Sequence, residues 1–172
     1  MDLKSKIRNI PDFPVKGIQF KDITTLLKDK DAYKYCIDQI TKHCKSLKID
    51  YIAGIEARGF VIGAPVAYNL NVGFLLVRKK DRLPADVERI SYQLEYGENI
   101  LEIHKDSFQK GDRIMVIDDL LATGGTTLAV FKLIEKLGGK IVGADFIVEL
   151  EMLKGKDKLK GYEIFSLVKY NR

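Results

Sequence analysis

A chain of 172 residues with 46% hydrophobic content is long enough for one domain with a substantial core. Its net charge of +5 does not argue for a nucleic-acid binder, because 29 Lys and Arg are scattered among 24 acids with no RNP-type aromatic string, C₂H₂ spacing or helix-turn-helix signal. No apolar run approaches the ~20 residues of a membrane span and the charged start MDLKSKIR leads into no signal-type apolar region, so a cytoplasmic protein with no membrane contact is expected.

Leu3, Ile7 and Ile10 among charges predict a short amphipathic helix over residues 1–9, ended by Pro11. From Pro11 to Phe20 the prolines, Gly17 and alternating apolar residues predict an extended segment. Its backbone N–H and C=O groups can address a flat ring edge, although a surface-packing arm fits the same residues. Asp31 to Leu47 is the clearest amphipathic helix, with Tyr33, Cys36, Ile37, Ile40, Cys44 and Leu47 on one stripe. Cys36 and Cys44 are too far apart on it to bridge and lack metal-ligand spacing, so both are read as reduced core or boundary residues. His43 falls off the stripe among lysines and is expected in solvent.

Tyr51 to Ile55 reads as a short buried strand, followed by Glu56-Ala57-Arg58-Gly59-Phe60 and a helix over Val61 to Leu70. Gly73 to Val77 is another strand. Arg78-Lys79-Lys80-Asp81-Arg82-Leu83-Pro84 then opens a long polar excursion, either a lid or binding loop or a solvated charge run. Tyr92 to Gly97 returns from it with strand-like alternation. Asn99 to His104 is a further strand, with His104 outside every motif, and Lys105 to Asp112 is a turn region. Leu128 to Leu137 is a helix closed by Gly138-Gly139. Lys140 to Leu150 is a strand, Glu151 to Gly161 a polar connection and Tyr162 to Val168 the last strand. The expected architecture is α/β: a single domain over residues 1–172 with a central, mainly parallel sheet flanked by helices.

The stretch Ile114 to Thr127 carries the chemistry. Arg113 to Ile117 is a β-branched apolar run suited to a strand buried on both faces. Asp118 and Asp119 follow at its carboxyl end, where open α/β sheets bind ligands. Ala122, Thr123, Gly124, Gly125 and Thr126 then offer small residues and bare amides at a helix start, with the hydroxyls of Thr123, Thr126 and Thr127 beside them. That is an anion site. A phosphate there lies one sugar's length from two carboxylates whose natural partners are vicinal hydroxyls. The pair of features describes a ribose 5-phosphate. The lysine of a triphosphate P-loop is missing. An isolated Asp-Asp cap followed by a Gly-Gly turn is the alternative reading of the same residues.

Hydrophobic-hydrophobic-Asp-Asp-x-x-x-Thr-Gly-Gly-Thr resembles the phosphoribosyl diphosphate motif of type I phosphoribosyltransferases, and VIDDLLATGGT is similar to the version in the adenine-using branch. The likeness extends to PDFPxxGIxFKDIT, to E-A-R-G-F and to Y-x-L-E-Y-G. It implies that family's fold, with residues 1–30 forming a helix and a small hood, and residues 78–97 a mobile catalytic loop. It implies transfer of the phosphoribosyl group of 5-phosphoribosyl 1-diphosphate to adenine, giving AMP and pyrophosphate. Glu95 and Tyr96 would serve as catalytic residues beside Asp118 and Asp119. Arg58, Gly59, Arg78 and Lys79 would hold the pyrophosphate, and Gln19, Lys21 and Leu150 the adenine. Mg²⁺ would arrive on the diphosphate substrate with no protein ligand assigned, and the chain would form a homodimer. The pattern departs from the family at Lys16, at Lys21 and at Asp81-Arg82. A related enzyme for another purine and a non-catalytic phosphoribosyl-diphosphate sensor of the same fold are the rival readings. A sensor would ordinarily carry a DNA-binding extension.

Overall fold

The computed structural model describes residues 1–94 and 97–171; Glu95 and Tyr96, expected to be catalytic, lie outside the described residues. The chain begins with a small antiparallel pair, β1 (Arg8–Pro11) and β2 (Gln19–Asp22), in which Arg8 faces Asp22 and Pro11 faces Gln19. Only Lys4–Lys6 form a 3₁₀ turn, which corrects the expected amino-terminal helix. Leu3 and Ile7 are buried as the spacing suggests, but pairing with β2 claims the backbone from Arg8 onward. The extended reading of Pro11 to Phe20 holds for its end, whereas Asp12 to Gly17 turn tightly, with Gly17 N–H donating to Asp12 Oδ1 at 2.7 Å.

A short helix α1 (Thr24–Lys28), which has no strong pattern of its own, leads into α2 (Lys30–Lys45). Asp29 caps α2 by accepting from the Asp31 and Ala32 amides, and its ion pair with Lys6 at 2.7 Å helps hold its carboxyl down at about 2. The expected stripe is the buried one: Cys36, Ile37, Ile40 and Cys44 are all in the core.

The main sheet has seven strands in the order β5-β6-β4-β3-β7-β8-β9. They are β3 (Tyr51–Ile55), β4 (Gly73–Lys79), β5 (Val87–Leu94), β6 (Gly97–His104), β7 (Arg113–Leu121), β8 (Lys140–Leu150) and β9 (Glu163–Tyr170). Strands β4, β3, β7, β8 and β9 run parallel, while β6 is antiparallel to both β4 and β5. Helices α3 (Arg58–Leu70) and α4 (Gly125–Lys136) complete the crossovers. Two apolar clusters fill the two faces. One gathers α2, α3 and residues such as Met115, Ile117 and Ile147; the other gathers α4 with Val116, Phe131 and Phe146.

Two further expectations change here. The polar excursion from Arg78 is mostly a hairpin arm, because β4 continues to Lys79 and β5 pairs with β6 from Val87 to Leu94, leaving residues 80–86 as the connection. Strand β7 also continues through both aspartates to Leu121, because the eleven residues of β8 prolong the ladder, with Leu120 opposite Val148 and Leu121 opposite Glu149. The carboxylates therefore ride on a strand rather than on a loop after it. No described helix is long and apolar enough to cross a membrane.

Candidate active site

The strand order reverses between β3 and β7: from β3 the chain moves outward to β4, and from β7 it moves the other way through β8 to β9. Ligands of open α/β sheets bind at the carboxyl ends of strands flanking such a switch. Those ends carry Glu56 to Arg58 and Asp118 to Thr123. A cleft of about 190 Å³ opens there, walled by Glu56, Ala57, Arg58, Lys79, Asp118 and Asp119, with Tyr92, Asn99 and Thr126 on its hairpin and α4 sides.

Arg58 begins α3, so the expected Glu56–Phe60 loop is shorter than the sequence suggests: only Glu56 and Ala57 precede the helix. Gly59 explains how the helix starts so close to the sheet. A Cβ there would lie 2.6 Å from the Ile117 carbonyl oxygen and 3.2 Å from Asp118 Oδ1. With no Cβ, α3 sits directly against β7 and brings Arg58 to Asp119. Their side chains form an ion pair, with Asp119 buried and the guanidinium half exposed. Burial opposes the charge on Arg58, but its hydrogen bond to Asp119 and the charges of Asp119, Asp118 and Asp22 outweigh that and raise its pKa. Asp22 ends β2, so the small amino-terminal sheet contributes to the charge that Arg58 feels.

Asp118 is different. Burial first, then the neighbouring Asp119 charge, push its carboxyl well above the usual carboxylate range, even though its Oδ1 accepts the Asp119 amide at 2.9 Å. An acid poised to ionise thus sits beside one already matched to an arginine.

Beyond β7 the chain turns through Ala122, Thr123 and Gly124 into α4. The first helical bond runs from Leu128 N–H to the Gly124 carbonyl at 3.0 Å. The amides before Leu128 are those that every helix start leaves for an outside acceptor. Thr126 Oγ1 donates to Tyr92 Oη at 3.3 Å, tying this turn to β5. Thr123 and Thr126 are partly exposed, but Thr127 is buried at 3%, which removes it from the expected trio of accessible hydroxyls. Gly124 adopts φ +76°, and a Cβ there would approach the Gly155 carbonyl oxygen to 2.4 Å. Gly155 itself opens a 3₁₀ turn, Gly155–Leu159, that buttresses the loop. Gly124→Ala is therefore expected to destabilise the fold by about 1–3 kcal/mol through strain and overlap. Urea denaturation checks this, and an unchanged midpoint would mean the loop yields freely.

Arg78 does not line the cleft. Its guanidinium is bidentate to Glu56 at 3.1 Å for each bond, and it also donates to the Arg82 carbonyl at 3.0 Å. Arg78 and the Lys79 amide hold the Glu56 carboxylate below its usual range against the opposing effect of burial. Lys79, in contrast, does wall the cleft. Among the residues expected at adenine, Gln19 accepts from Asn9 Nδ2 at 2.7 Å, and Lys21 donates to Asn9 Oδ1 at 2.8 Å while lying 4.3 Å over the Tyr170 ring. Leu150 is the register partner of Tyr170. These three gather around the carboxyl ends of β8 and β9 and are not part of the cleft wall. Glu56, Tyr92, Asn9 and Gly155 were not singled out as positioning residues by the sequence. Glu56 and Tyr92 carried a signal, as the first letters of E-A-R-G-F and of Y-x-L-E-Y-G; Asn9 and Gly155 carried none.

Comparison with known proteins agrees with this geometry. Residues 22–168 match the family described as phosphoribosyl transferase domain. The chain is 57% identical over 171 residues to the adenine phosphoribosyltransferase of Clostridium kluyveri, covering 99% of both chains. Its structure resembles the crystal structure of adenine phosphoribosyltransferase from Thermoanaerobacter pseudethanolicus with a TM-score of 0.95, at 53% identity and 98% coverage of each chain. The Saccharomyces cerevisiae enzyme, crystallised with an imino-altritol bisphosphate and adenine, matches with a TM-score of 0.92 at 36% identity, covering 96% of each chain. A cleft built from an aspartate pair, a helix amino terminus and a paired arginine, together with full-length identity of this order, leads to one assignment: the chain belongs to the phosphoribosyltransferase family, among the adenine phosphoribosyltransferases.

Proposed function

We propose that the cleft transfers the phosphoribosyl group of 5-phosphoribosyl 1-diphosphate to adenine, yielding AMP and pyrophosphate, in a cytoplasmic homodimer. The observation that carries this reading is the switch-point cleft itself, where Asp118 and Asp119 share one wall with Arg58, Lys79 and Thr126 at the amino terminus of α4. The amides from Ala122 to Thr126 receive the 5-phosphate, and the Asp118 and Asp119 carboxylates accept from the ribose hydroxyls.

As the anomeric carbon–oxygen bond breaks, positive charge grows on the ribose and negative charge on the departing diphosphate. Asp118 and Asp119 stabilise the first through the hydroxyls they hold, and Arg58 and Lys79 neutralise the second. Arg58 pairs with Asp119. Ribose hydroxyls that take over Asp119 release the guanidinium towards the diphosphate, which links substrate binding to assembly of the leaving-group site. Glu95 manages a proton of the purine ring as its nitrogen attacks. The arm that follows β4, residues 80–97 with Tyr96, closes over the site and excludes water. Arg78 supports that segment through Glu56. Gln19, Lys21 and Leu150 border the base.

The donor set fits Mg²⁺ carried in by the diphosphate, since oxygen ligands suit it and Asp118 and Asp119 crowd two carboxylates together. Those two would face the ion through water, and its charge would offset that of the diphosphate. The homodimer is supported by Val61 and Tyr68, seven apart on α3 and both exposed, Tyr68 at 86%.

Calorimetry in buffers of different ionisation enthalpy tests the ribose assignment. Burial and the Asp119 charge raise the pKa of Asp118, and hydroxyl donors favour its charged form. Binding of phosphoribosyl diphosphate is therefore expected to release a proton from wild type and none from Asp118→Asn. Equal release from both would remove Asp118 from the diol. Stability gives the same sign: a raised folded-state pKa contributes stability below the unfolded value, and that contribution is lost as pH rises through the folded one. Asp118→Asn should melt higher than wild type at pH 8, with the difference shrinking as pH falls towards 4.

A further inference from the structure

The chemistry above lies at the carboxyl ends of β3 and β7. A second group of ligand-type side chains lies between α2 and β8 and takes no part in it. His43 was expected in solvent; instead its Nδ1 lies 3.0 Å from Asp145 Oδ2, and Cys44 Sγ lies 3.3 Å from the same oxygen. The sequence could not reveal this, because Asp145 is 102 residues from His43 and sits in the interior of an apolar strand.

We propose that His43, Cys44 and Asp145 form a binding site for a divalent cation of the zinc class, joining α2 to β8 and distinct from the Mg²⁺ that accompanies the substrate. One donor atom from each of the three lies within 4.8 Å of the others. Zinc bonds of about 2.0 Å to nitrogen and oxygen and about 2.3 Å to sulfur, in a tetrahedron, require donor separations of roughly 3.5 Å. The observed 3.0 and 3.3 Å need only a slight opening.

The second observation is Asp145 itself. The residue is fully buried, and its Oδ1 has no hydrogen-bond partner. A buried carboxylate with one oxygen unpartnered is costly, and a cation held at Oδ2 between His43 Nδ1 and Cys44 Sγ would give this buried group the positive charge it otherwise lacks. Charge also balances: a carboxylate and a thiolate neutralise one divalent ion, so the loaded site places no net charge in the core. Binding would displace the Cys44 S–H proton to solvent, while His43 keeps its proton on Nε2 and offers the Nδ1 lone pair.

The surroundings orient the histidine. Its ring stacks on Phe165 with centroids 4.3 Å apart and planes 13° from parallel, which fixes the direction of Nδ1. Its outer nitrogen lies 3.9 Å from Glu163 Oε1. An outer carboxylate near the second nitrogen is the arrangement that orients metal-binding histidines and raises their basicity. Sulfur, nitrogen and a single carboxylate select zinc-class ions over magnesium or calcium, which prefer oxygen. The His43 side chain retains 19% exposure, giving an ion and its water ligand a way in.

Co²⁺ added to chelator-treated full-length protein, without nucleotide substrate, tests the site. The expected result is near-ultraviolet thiolate-to-cobalt absorption that Zn²⁺ abolishes. Cys36→Ser should keep the signal, Cys44→Ser should lose it, and Glu163→Gln, at a mostly exposed position, should weaken affinity about ten- to a hundred-fold. Zn²⁺ should raise the melting temperature of wild type and Cys36→Ser but not of Cys44→Ser. If Cys44→Ser does not fold, His43→Gln gives the same comparison. Absence of the absorption in wild type, or its dependence on Cys36 rather than on Cys44 and His43, would overturn the proposal.

Discussion

Asp119→Asn is expected to lower kcat/KM for phosphoribosyl diphosphate by about a hundred-fold, the size of losing one strong hydrogen bond to a charged group, about 1.5–3 kcal/mol. The amide keeps the shape of the carboxylate but removes its charge, so the proposed ribose contact loses strength. Arg58 simultaneously loses the counter-charge that holds it at the start of α3. The same change is not expected to unfold the chain, because the guanidinium it releases is half exposed and remains hydrated. Steady-state kinetics with calorimetry on the unreacted substrate separate the two effects. Undiminished affinity together with unchanged turnover would count against the diol assignment.

Glu95→Gln is expected to reduce kcat by about a hundred- to ten-thousand-fold, the range for removing a proton-transfer group, while phosphoribosyl diphosphate affinity stays close to wild type. The separation follows from the proposed roles: the phosphates and ribose are held from β3, β7 and α4, and Glu95 acts on the purine. Turnover at the wild-type level would remove Glu95 from the mechanism, and a large loss of phosphoribosyl diphosphate affinity would move it to the sugar side.

The sequence was most informative where one pattern had one solution. β8 is bounded as expected at Lys140 and Leu150 because apolar residues dominate the run and keep it in the ladder despite Gly143 and Asp145 inside it. The two aspartates and the Gly-Gly turn were legible together, since their spacing along a single strand-to-helix unit is local. Contacts between distant segments were not legible. Arg78 looked like a free cation in a charge run and is instead tied to Glu56, 22 residues earlier. The glycine at 155 looked like part of a polar connection, yet its backbone packs on Ala122 and Gly124, with a Cβ there only 2.3 Å from the Ala122 carbonyl oxygen. The periodicity that correctly marked the buried stripe of α2 also assigned His43 to solvent, because helical periodicity reports which face meets the core and not which single polar group the core contains. The amino-terminal helix failed for a related reason: Leu3 and Ile7 have helical spacing, but the partner strand decided the backbone.

The most direct test is product formation from phosphoribosyl diphosphate and Mg²⁺ with adenine, hypoxanthine, guanine, xanthine or no base, resolved by chromatography. The account predicts AMP and pyrophosphate with adenine and no nucleotide with the other bases. A nucleotide formed from another base in preference to adenine would contradict the base assignment to Gln19, Lys21 and Leu150, and tight phosphoribosyl diphosphate binding with no product from any base would contradict catalysis itself.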